Sequence, residues 1–196
     1  MTTVHTVIVN YQSSARTREC LTALAESRPE GVSMTCSIVD NGSRDDFLRE
    51  MQDFLRNQDV DWVQIMGLEE NRGLGAGLNA GIRPVLTSFA PPDFILVVHP
   101  DTSLKPSALM RLLDYAKTHP SVGAVGPRLV GRDGQAFSSA FRFPSIPGEI
   151  EGGLAFGPVS RLLATHRVSL PPKDEPHEAD WLSGAAILIR TTALES

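Results

Sequence analysis

The sequence predicts an α/β fold in which helices flank a mostly parallel sheet. Over the first 126 residues, short apolar and β-branched runs alternate with segments whose apolar residues recur at helical spacing. The run Phe94–Val98 is apolar throughout, as expected of a central strand that is covered on both faces. Polar residues follow the ends of several such runs, and ligands bind there in parallel sheets.

The individual elements are predicted in a regular order. The run at residues 4–9 is short and rich in β-branched residues, which favours a buried strand. Ser13 or Ser14 is predicted to cap the helix that follows this strand. Ser43 caps a second helix, and Pro106 lies near the start of a fourth. The remaining predicted elements are strands at residues 34–39, 62–66, 94–98 and 122–125 and a third helix from residue 74 to residue 85.

The rest of the chain has a different composition. Residues 142–178 are rich in proline and glycine, which predicts a long loop with a short helix at residues 159–164. Residues 179–190 are predicted to form a final strand. We therefore expect an α/β region over residues 1–126 and a second region over residues 127–196.

Composition and charge exclude several classes of function. The formal net charge of −5 argues against nucleic acid as the main partner. No apolar run approaches the roughly 18 residues of a transmembrane helix, and the N-terminus lacks the pattern of a signal peptide. Cys20 and Cys36 lack metal-site spacing and are expected to stay reduced. We expect a cytoplasmic protein, either free or at the inner face of the membrane.

Two polar clusters have both a functional and a structural interpretation. Asp40 ends a strand just before Asn-Gly. Its carboxylate either stabilises a turn or accepts a hydrogen bond from a ligand, which would be a nucleobase N–H or a ribose hydroxyl. Glycines in residues 71–81 either let the protein backbone approach a ligand closely or let a helix pack tightly on the sheet. Arg72 adds a positive charge for a phosphate. This segment matches neither the dinucleotide fingerprint nor a P-loop.

Two further clusters lie later in the chain. Asp101 follows the most apolar strand and could hold a divalent cation that bridges a diphosphate, or it could cap a helix. His99 is either a second ligand or a hydrogen-bonded turn residue. Trp181 and Gly184 begin the last strand, where the indole could form the floor of a sugar site or pack in the core.

Taken together, these motifs resemble the family 2 glycosyltransferases of the GT-A fold, in particular the bacterial rhamnosyltransferase-like members. They occur in the family's order and span nearly the whole chain. The matching segments are Val-Asn-Tyr at 9–11, Val-Asp-Asn-Gly-Ser at 39–43, Asn-Arg-Gly-Leu-Gly-Ala-Gly-Leu-Asn-Ala-Gly at 71–81, Pro-Asp-Thr at 100–102 and Trp-Leu-Ser-Gly-Ala at 181–185.

The resemblance implies a role for each motif. It implies a nucleotide-sugar donor bound by the first region and an acceptor near the second, with Mg²⁺ or Mn²⁺ held by Asp101. Trp181 and Gly184 would lie near the donor sugar and the acceptor. The implied nucleotide-sugar-binding residues are Asn10 and Tyr11 at the base, Asp40 and Asn41 at the base or ribose, Asn71, Arg72 and Gly73 over the nucleotide, and Asp101.

The sequence departs from the family pattern at two places. His99 occupies the first acidic position of the Asp-x-Asp motif, and relatives of the rhamnosyl type often have asparagine there. Family members also continue into a segment with an acidic general base, whereas this sequence ends at Ser196. We therefore expect the C-terminal part of the fold, with the catalytic base, to be missing from the chain.

The resemblance implies transfer of a sugar, with inversion, from a dTDP- or UDP-sugar to a glycan or lipid-linked acceptor. The alternative is a non-catalytic module that binds the nucleotide-sugar without transfer. A nucleotidyltransferase fits less well, because residues 10–13 are not a glycine-rich, basic loop. We also expect residues 185–189 to pair with another copy of the chain or to pack under the long loop.

Overall fold

The computed structural model describes residues 1–43, 45–58, 60–154 and 166–194. The strands, in chain order, are β1 (Thr2–Asn10), β2 (Val32–Asp40), β3 (Val63–Gly67), β4 (Phe94–Val98), β5 (Ala124–Val125), β6 (Leu129–Val130), β7 (Ala136–Phe137), β8 (Ala140–Phe141), β9 (Trp181–Leu182) and β10 (Ala186–Arg190). The helices are α1 (Ser14–Glu26), α2 (Phe47–Asn57), α3 (Leu74–Leu86), α4 (Ala108–Thr118) and α5 (Ile146–Leu154), and a 3₁₀ turn spans Thr191–Ala193.

The chain divides into two compact units. The first comprises Met1–Val125 together with Gly184–Ser196, and the second is Gly126–Ser183. The sequence had predicted a first region that ends at residue 126 and a second that includes the last strand. The last strand instead returns to the first unit, because its backbone completes the hydrogen bonds of the sheet there.

The first unit is built on a six-stranded sheet with the order β3-β2-β1-β4-β10-β5. Strands β1 to β4 are mutually parallel, and β10 runs antiparallel to both of its neighbours. This arrangement confirms the predicted α/β class with a mostly parallel sheet. Because β1 to β4 are parallel, their carboxyl ends lie at one edge, where ligands bind in such sheets.

Alternate residues of β1 point to opposite faces of the sheet, and both faces are covered. Val4 and Ile8 pack into a large core with apolar residues of α1, α2 and α4. Val7 and Val9 point to the other face and join a smaller cluster with residues of α3. Phe94 to Val98 are all buried, as predicted for a central strand.

The last strand lies inside the sheet. Strand β10 pairs with β4 over its whole length and with β5 at Leu188 and Ile189. At Leu188 and Ile189 the strand has hydrogen-bonded neighbours on both sides, so its backbone there is not the exposed sheet edge from which association was predicted. Pairing of residues 185–189 with another copy of the chain stays a prediction.

Two further local predictions need correction. Helix α2 begins at Phe47 after Asp46, so Ser43 does not cap it. Helix α5 lies within residues 142–178, where a long loop was predicted. Its Pro147 stands in the first turn, where a missing N–H costs little, and the Ser145 carbonyl accepts a hydrogen bond from the Glu149 N–H at 2.9 Å. The helix predicted at residues 159–164 lies outside the described residues.

The second unit contains two small antiparallel ladders, β6 with β7 and β8 with β9. Across the second ladder, the paired residues Phe141 and Trp181 stack their rings with centroids 4.0 Å apart. Among the described residues of the whole chain, no helix is long and apolar enough to cross a membrane.

A buried histidine in β1 should make stability depend on pH. The His5 ring is buried and contacts the hydroxyls of Thr35 at 2.7 Å and Ser37 at 2.9 Å. Burial lowers the pKa of His5 from 6.5 to about 4. Below pH 6.5 His5 is therefore protonated in the unfolded chain but stays neutral in the folded chain. The folded state loses stability as the pH falls from 6.5 toward 4.

We expect this histidine to account for up to about 3 kcal/mol of stability lost over that pH range. Urea unfolding of the wild type and of His5→Gln at pH 7.5 and pH 4.5 measures the effect, with the exposed His119→Gln as the matched control. The wild type should lose more stability than His5→Gln between the two pH values. Equal losses in the two proteins would refute the assignment.

Candidate functional site

The predicted polar residues gather at the carboxyl edge of the first unit's sheet. Asn10 ends β1 and is paired in register with Asp40, which ends β2. On the other side of β1, β4 ends at Val98 and is followed by His99 and Asp101. The sheet thus places the two carboxylates, Asp40 and Asp101, at the same edge with one strand between them.

Asn10 is the centre of a closed hydrogen-bond network. Its side-chain amide N–H groups donate to the Asp40 Oδ1 at 2.9 Å and to the Ser43 Oγ at 3.2 Å. Its Oδ1 accepts from the hydroxyls of Ser13 at 2.9 Å and Thr17 at 2.8 Å. A primary amide has two donors and two acceptor positions, so this side chain is fully satisfied and is buried.

This network changes the role expected for Asn10. The resemblance implied that its side chain lines the base pocket, but every polar position of that amide is already used inside the protein. In the structure the Asn10 amide holds the Asp40 carboxylate in place, and its contact with a base stays a prediction. Ser13, Ser43 and Thr17, which the sequence analysis did not assign to the site, complete the network. For Ser13 and Ser43 the signal in the sequence was a small hydroxyl residue just after a strand end, whereas Thr17 lies inside α1.

Asp40 serves the turn and keeps capacity for a ligand. Its Oδ1 accepts from Asn10 and, at 2.5 Å, from the Ser43 hydroxyl, whereas the one described donor to its Oδ2 is the Ser43 N–H at 3.2 Å. An ionised carboxylate offers about four acceptor positions. The two interpretations of Asp40 are therefore compatible, because Oδ2 has one acceptor position beyond those of the turn.

Asn41 fixes the start of the glycine-rich segment. Its amide donates to the Asn71 Oδ1 at 3.0 Å and to the Gly73 carbonyl at 3.2 Å, and its Oδ1 accepts from the Arg72 N–H at 3.2 Å. Asn71 in turn accepts the Gly73 N–H at 2.9 Å. Asn41 and Asn71, both predicted to contact the nucleotide, hold the loop through their side chains.

Gly42 permits this close contact between the two loops. A Cβ at this position would lie 2.4 Å from the Glu70 carbonyl carbon and 2.6 Å from the Asn71 nitrogen. Its φ of +74° is also a value that glycine adopts far more readily than other residues. Glycine is thus favoured after Asn41 both because a side chain would clash with the neighbouring loop and because the turn requires a positive φ.

The glycines of α3 divide into two groups. A Cβ on Gly77 would lie 2.6 Å from a Val9 methyl carbon, and one on Gly81 would lie 2.7 Å from a Val7 methyl carbon. Gly73, with φ of +82°, and Gly75 have no neighbour within 4 Å of a built Cβ. The later glycines thus pack on β1, as the packing interpretation predicted, and the first two leave open space at the helix start. Close approach of a ligand to these two glycines stays a prediction.

Alanine substitutions at Gly75 and Gly77 should change stability in opposite directions. Gly77→Ala forces a methyl group against the stiff side chain of Val9, and we expect a loss of about 1–2 kcal/mol. Gly75→Ala meets open space and gains helix propensity, so we expect a gain of up to about 1 kcal/mol. Urea unfolding of both variants measures this, and a destabilised Gly75→Ala would contradict the division of the glycines.

Arg72 and Tyr11 present their side chains at the surface. The Arg72 guanidinium is exposed and pairs with Glu70, with Nε 3.1 Å from Oε1. An exposed pair of this kind contributes little stability, so the guanidinium can exchange Glu70 for a phosphate at low cost. Tyr11 is 44% exposed at the end of β1.

His99 and Asp101 form a contact of their own at the end of β4. The Nδ1 of His99 lies 2.5 Å from the Oδ1 of Asp101, and both side chains are about half exposed. Beneath them, burial and the charge of Asp101 raise the pKa of the Cys20 thiol to about 12. Cys20 and Cys36 are both free and buried, as predicted for reduced cysteines.

Among the residues that the structure describes, no group of three or more His, Cys, Asp or Glu side chains could hold a metal ion. Asp101 and His99 together offer two donors at a half-exposed position. A divalent cation takes about six ligands, so most of its ligands here would come from a bound diphosphate and water. The residues present fit a cation that arrives with its nucleotide.

A shallow hollow on the first unit lies away from these residues. It is bordered by residues of α1, among them the half-buried Arg18 and the exposed Glu19, and by Phe54 of α2. These residues belong to the two helices and include none of the polar residues that follow the parallel strands. This hollow therefore takes no part in the candidate site.

The two residues predicted near the sugar fall in different units. Trp181 belongs to the second unit, where its indole N–H donates to the Arg142 carbonyl at 3.0 Å and one face of the ring stacks on Phe141. Gly184 begins the returning segment of the first unit, and a Cβ there would have no neighbour within 4 Å.

Comparison with known proteins decides the family. Residues 6–161, most of the chain, match the family described as Glycosyl transferase family 2. The chain belongs to glycosyl transferase family 2. It is also 29% identical, over 95% of its length, to an N-acetylglucosaminyl-diphospho-decaprenol L-rhamnosyltransferase of Mycobacterium tuberculosis. The chain spans 61% of the length of that relative.

Solved structures of glycosyltransferases share the fold of this family 2 chain. The mannosyltransferase PcManGT from Pyrobaculum calidifontis, solved with GDP-Man and Mn²⁺, aligns with a TM-score of 0.62 and 16% identity over 98% of this chain and 45% of its own. S. aureus TarS, solved with UDP-GlcNAc, aligns with a TM-score of 0.52 and 21% identity over 67% of this chain and 37% of its own. The predicted GT-A fold is confirmed.

Proposed function

We propose that this chain supplies the donor-binding part of a nucleotide-sugar-dependent glycosyltransferase. The observation that carries the proposal is the pair of carboxylates on one sheet edge. Asp40 is held by Asn10 with an acceptor position left on Oδ2, and Asp101 is half exposed across β1. One carboxylate suits the hydrogen-bond donors of a nucleoside, and the other suits a cation that accompanies a diphosphate.

The base and ribose would lie at the Asp40 end of the site. Among the described residues the Oδ2 of Asp40 accepts one hydrogen bond, so it can accept another from the ring N–H of uracil or thymine or from a ribose hydroxyl. Tyr11, exposed next to this position, offers an aromatic surface to the base. Asn10 acts only through Asp40, since its own amide is satisfied.

The diphosphate would lie at the start of α3. The first N–H groups of this helix lack intrahelical partners, and they carry the positive end of the helix dipole. Gly73 and Gly75 leave room for close approach, and Arg72 brings a guanidinium that is paired only at the surface. Asp101 would hold Mg²⁺ or Mn²⁺ together with the diphosphate, and that cation supplies charge that stabilises the leaving group.

We propose that the whole protein transfers a sugar with inversion from a dTDP- or UDP-sugar to a lipid-linked glycan acceptor. The name of the mycobacterial relative supports an L-rhamnosyl donor and an acceptor on a polyprenyl diphosphate. Such an acceptor would bring the protein to the cytoplasmic face of the membrane. Inversion also requires a base in reach of the acceptor hydroxyl, and we assign none among the described residues.

Calorimetric titration of the chain with UDP and dTDP in the presence of Mn²⁺ tests donor binding. We expect a dissociation constant below about 1 mM for at least one of them, and about tenfold weaker binding by Asp40→Asn. Asp114→Asn, which removes an exposed carboxylate from α4, is the matched control and should bind as the wild type does. No binding of either nucleotide at millimolar concentration would overturn the proposal.

A further inference from the structure

A histidine lies two residues before Asp101 in the segment after β4, and its imidazole faces that carboxylate. The imidazole Nδ1 of His99 is 2.5 Å from Asp101 Oδ1, and both side chains reach solvent. The backbone that carries them is fixed. The His99 N–H donates to the Ala185 carbonyl at 2.9 Å, and the Thr102 N–H donates to the His99 carbonyl at 2.9 Å.

We propose that His99 binds the divalent cation directly through its imidazole nitrogen and makes the site prefer Mn²⁺ to Mg²⁺. This inference rests on the proposed function, since the cation is the one that accompanies the nucleotide diphosphate. Mg²⁺ selects oxygen ligands and gives up its water reluctantly, whereas first-row transition metals accept imidazole readily. A pair of one nitrogen and one carboxylate oxygen therefore favours Mn²⁺ over Mg²⁺.

The geometry of the pair is close to that of two ligands on one ion. Adjacent donors on a six-coordinate ion with bonds of about 2.1 Å lie roughly 3 Å apart. The two donor atoms are now 2.5 Å apart in a hydrogen bond. To bind one ion they must separate by about half an ångström, lose the shared proton and turn so that both lone pairs point to the ion. Both side chains are exposed enough to turn without disturbing the core.

The alternative role for His99 is that of a positioning residue, which donates a hydrogen bond to Asp101 and never touches the cation. The two roles give different results when the histidine is replaced. A positioning residue supports Mn²⁺ and Mg²⁺ equally, so its loss weakens binding with both metals to a similar degree. A ligand supports Mn²⁺ selectively, and its replacement by a carboxylate shifts the preference toward Mg²⁺.

Two measurements at pH 7.5 separate these roles. Calorimetry of UDP and dTDP binding with Mn²⁺ and with Mg²⁺ gives the ratio of affinities for the wild type, His99→Asp and His99→Asn. Pulsed EPR of bound Mn²⁺, with the metal alone and with nucleotide, detects the coupling of a directly bonded ¹⁴N nucleus. His119→Asn is the matched control, because it removes an exposed histidine from the end of α4.

We expect the wild type and His119→Asn to show ¹⁴N coupling and both His99 variants to lack it. We also expect His99→Asp to lower the Mn²⁺-to-Mg²⁺ affinity ratio by about tenfold. Nucleotide binding with Mn²⁺ but without ¹⁴N coupling would overturn the inference and leave the proposed function standing. Coupling to ¹⁴N with the metal alone, but no nucleotide binding, would overturn the proposed function and leave His99 as a metal ligand. Absence of both nucleotide binding and ¹⁴N coupling would overturn both proposals.

Discussion

Replacing Asp101 with asparagine is expected to weaken Mn²⁺-dependent binding of UDP or dTDP by at least about thirtyfold, or about 2 kcal/mol. The change removes the negative charge that faces the cation and keeps the shape of the side chain. Asp101 is half exposed, and its side chain contacts His99 at the surface. We therefore expect the free energy of unfolding to change by less than about 0.5 kcal/mol.

Calorimetry with each metal and urea unfolding, performed on the same preparation, measure both parts of this prediction. Asp114→Asn is again the matched control, since it makes the same charge change on an exposed face of α4. Binding by Asp101→Asn within threefold of the wild type would remove Asp101 from the cation site. A large loss of stability would instead show that its main role is structural.

Replacing Asn10 with alanine is expected to lower the free energy of unfolding by about 3 kcal/mol. The substitution removes two donors and an acceptor that together satisfy Asp40, Ser43, Ser13 and Thr17 in a buried region. The largest contribution comes from Asp40, because a buried carboxylate that loses a donor bears an uncompensated desolvation cost.

Urea unfolding of Asn10→Ala, compared with Ser13→Ala and Thr17→Val, apportions this effect. The two controls each remove one hydroxyl from the acceptor side of Asn10 and should cost about 1 kcal/mol. We also expect Asn10→Ala to weaken nucleotide binding, because Asp40 loses the group that orients it. If Asn10→Ala costs no more than the controls, the network around Asp40 is not the central support of this edge.

Some predictions succeeded because they depend only on neighbouring residues. The apolar run of β4 and the β-branched run of β1 form buried parallel strands as predicted. The reason is that a short apolar segment has few ways to bury itself other than in the middle of a covered sheet. The polar residues after these strands then had to gather at one edge, since parallel strands share the same direction.

Other predictions failed because they depend on partners far away in the sequence. Ser43 had the local pattern of a helix cap, yet its hydroxyl binds Asp40 and Asn10. Strand β10 had the local pattern of an exposed last strand, yet it lies between β4 and β5. A local pattern reveals that a donor or a strand edge needs a partner, but it does not reveal which residue supplies that partner.

The order of residues alone therefore determined the α/β class, the parallel strands and the family resemblance, because these follow from local patterning and from motifs in a given order. Only the tertiary structure decided which polar side chains are free for a ligand. All polar positions of the Asn10 amide are taken by hydrogen bonds inside the protein, whereas Asp40 and Asp101 keep accepting positions among the described residues. The physical reason is that each polar atom has a fixed number of hydrogen bonds, and folding determines how many of them neighbours take.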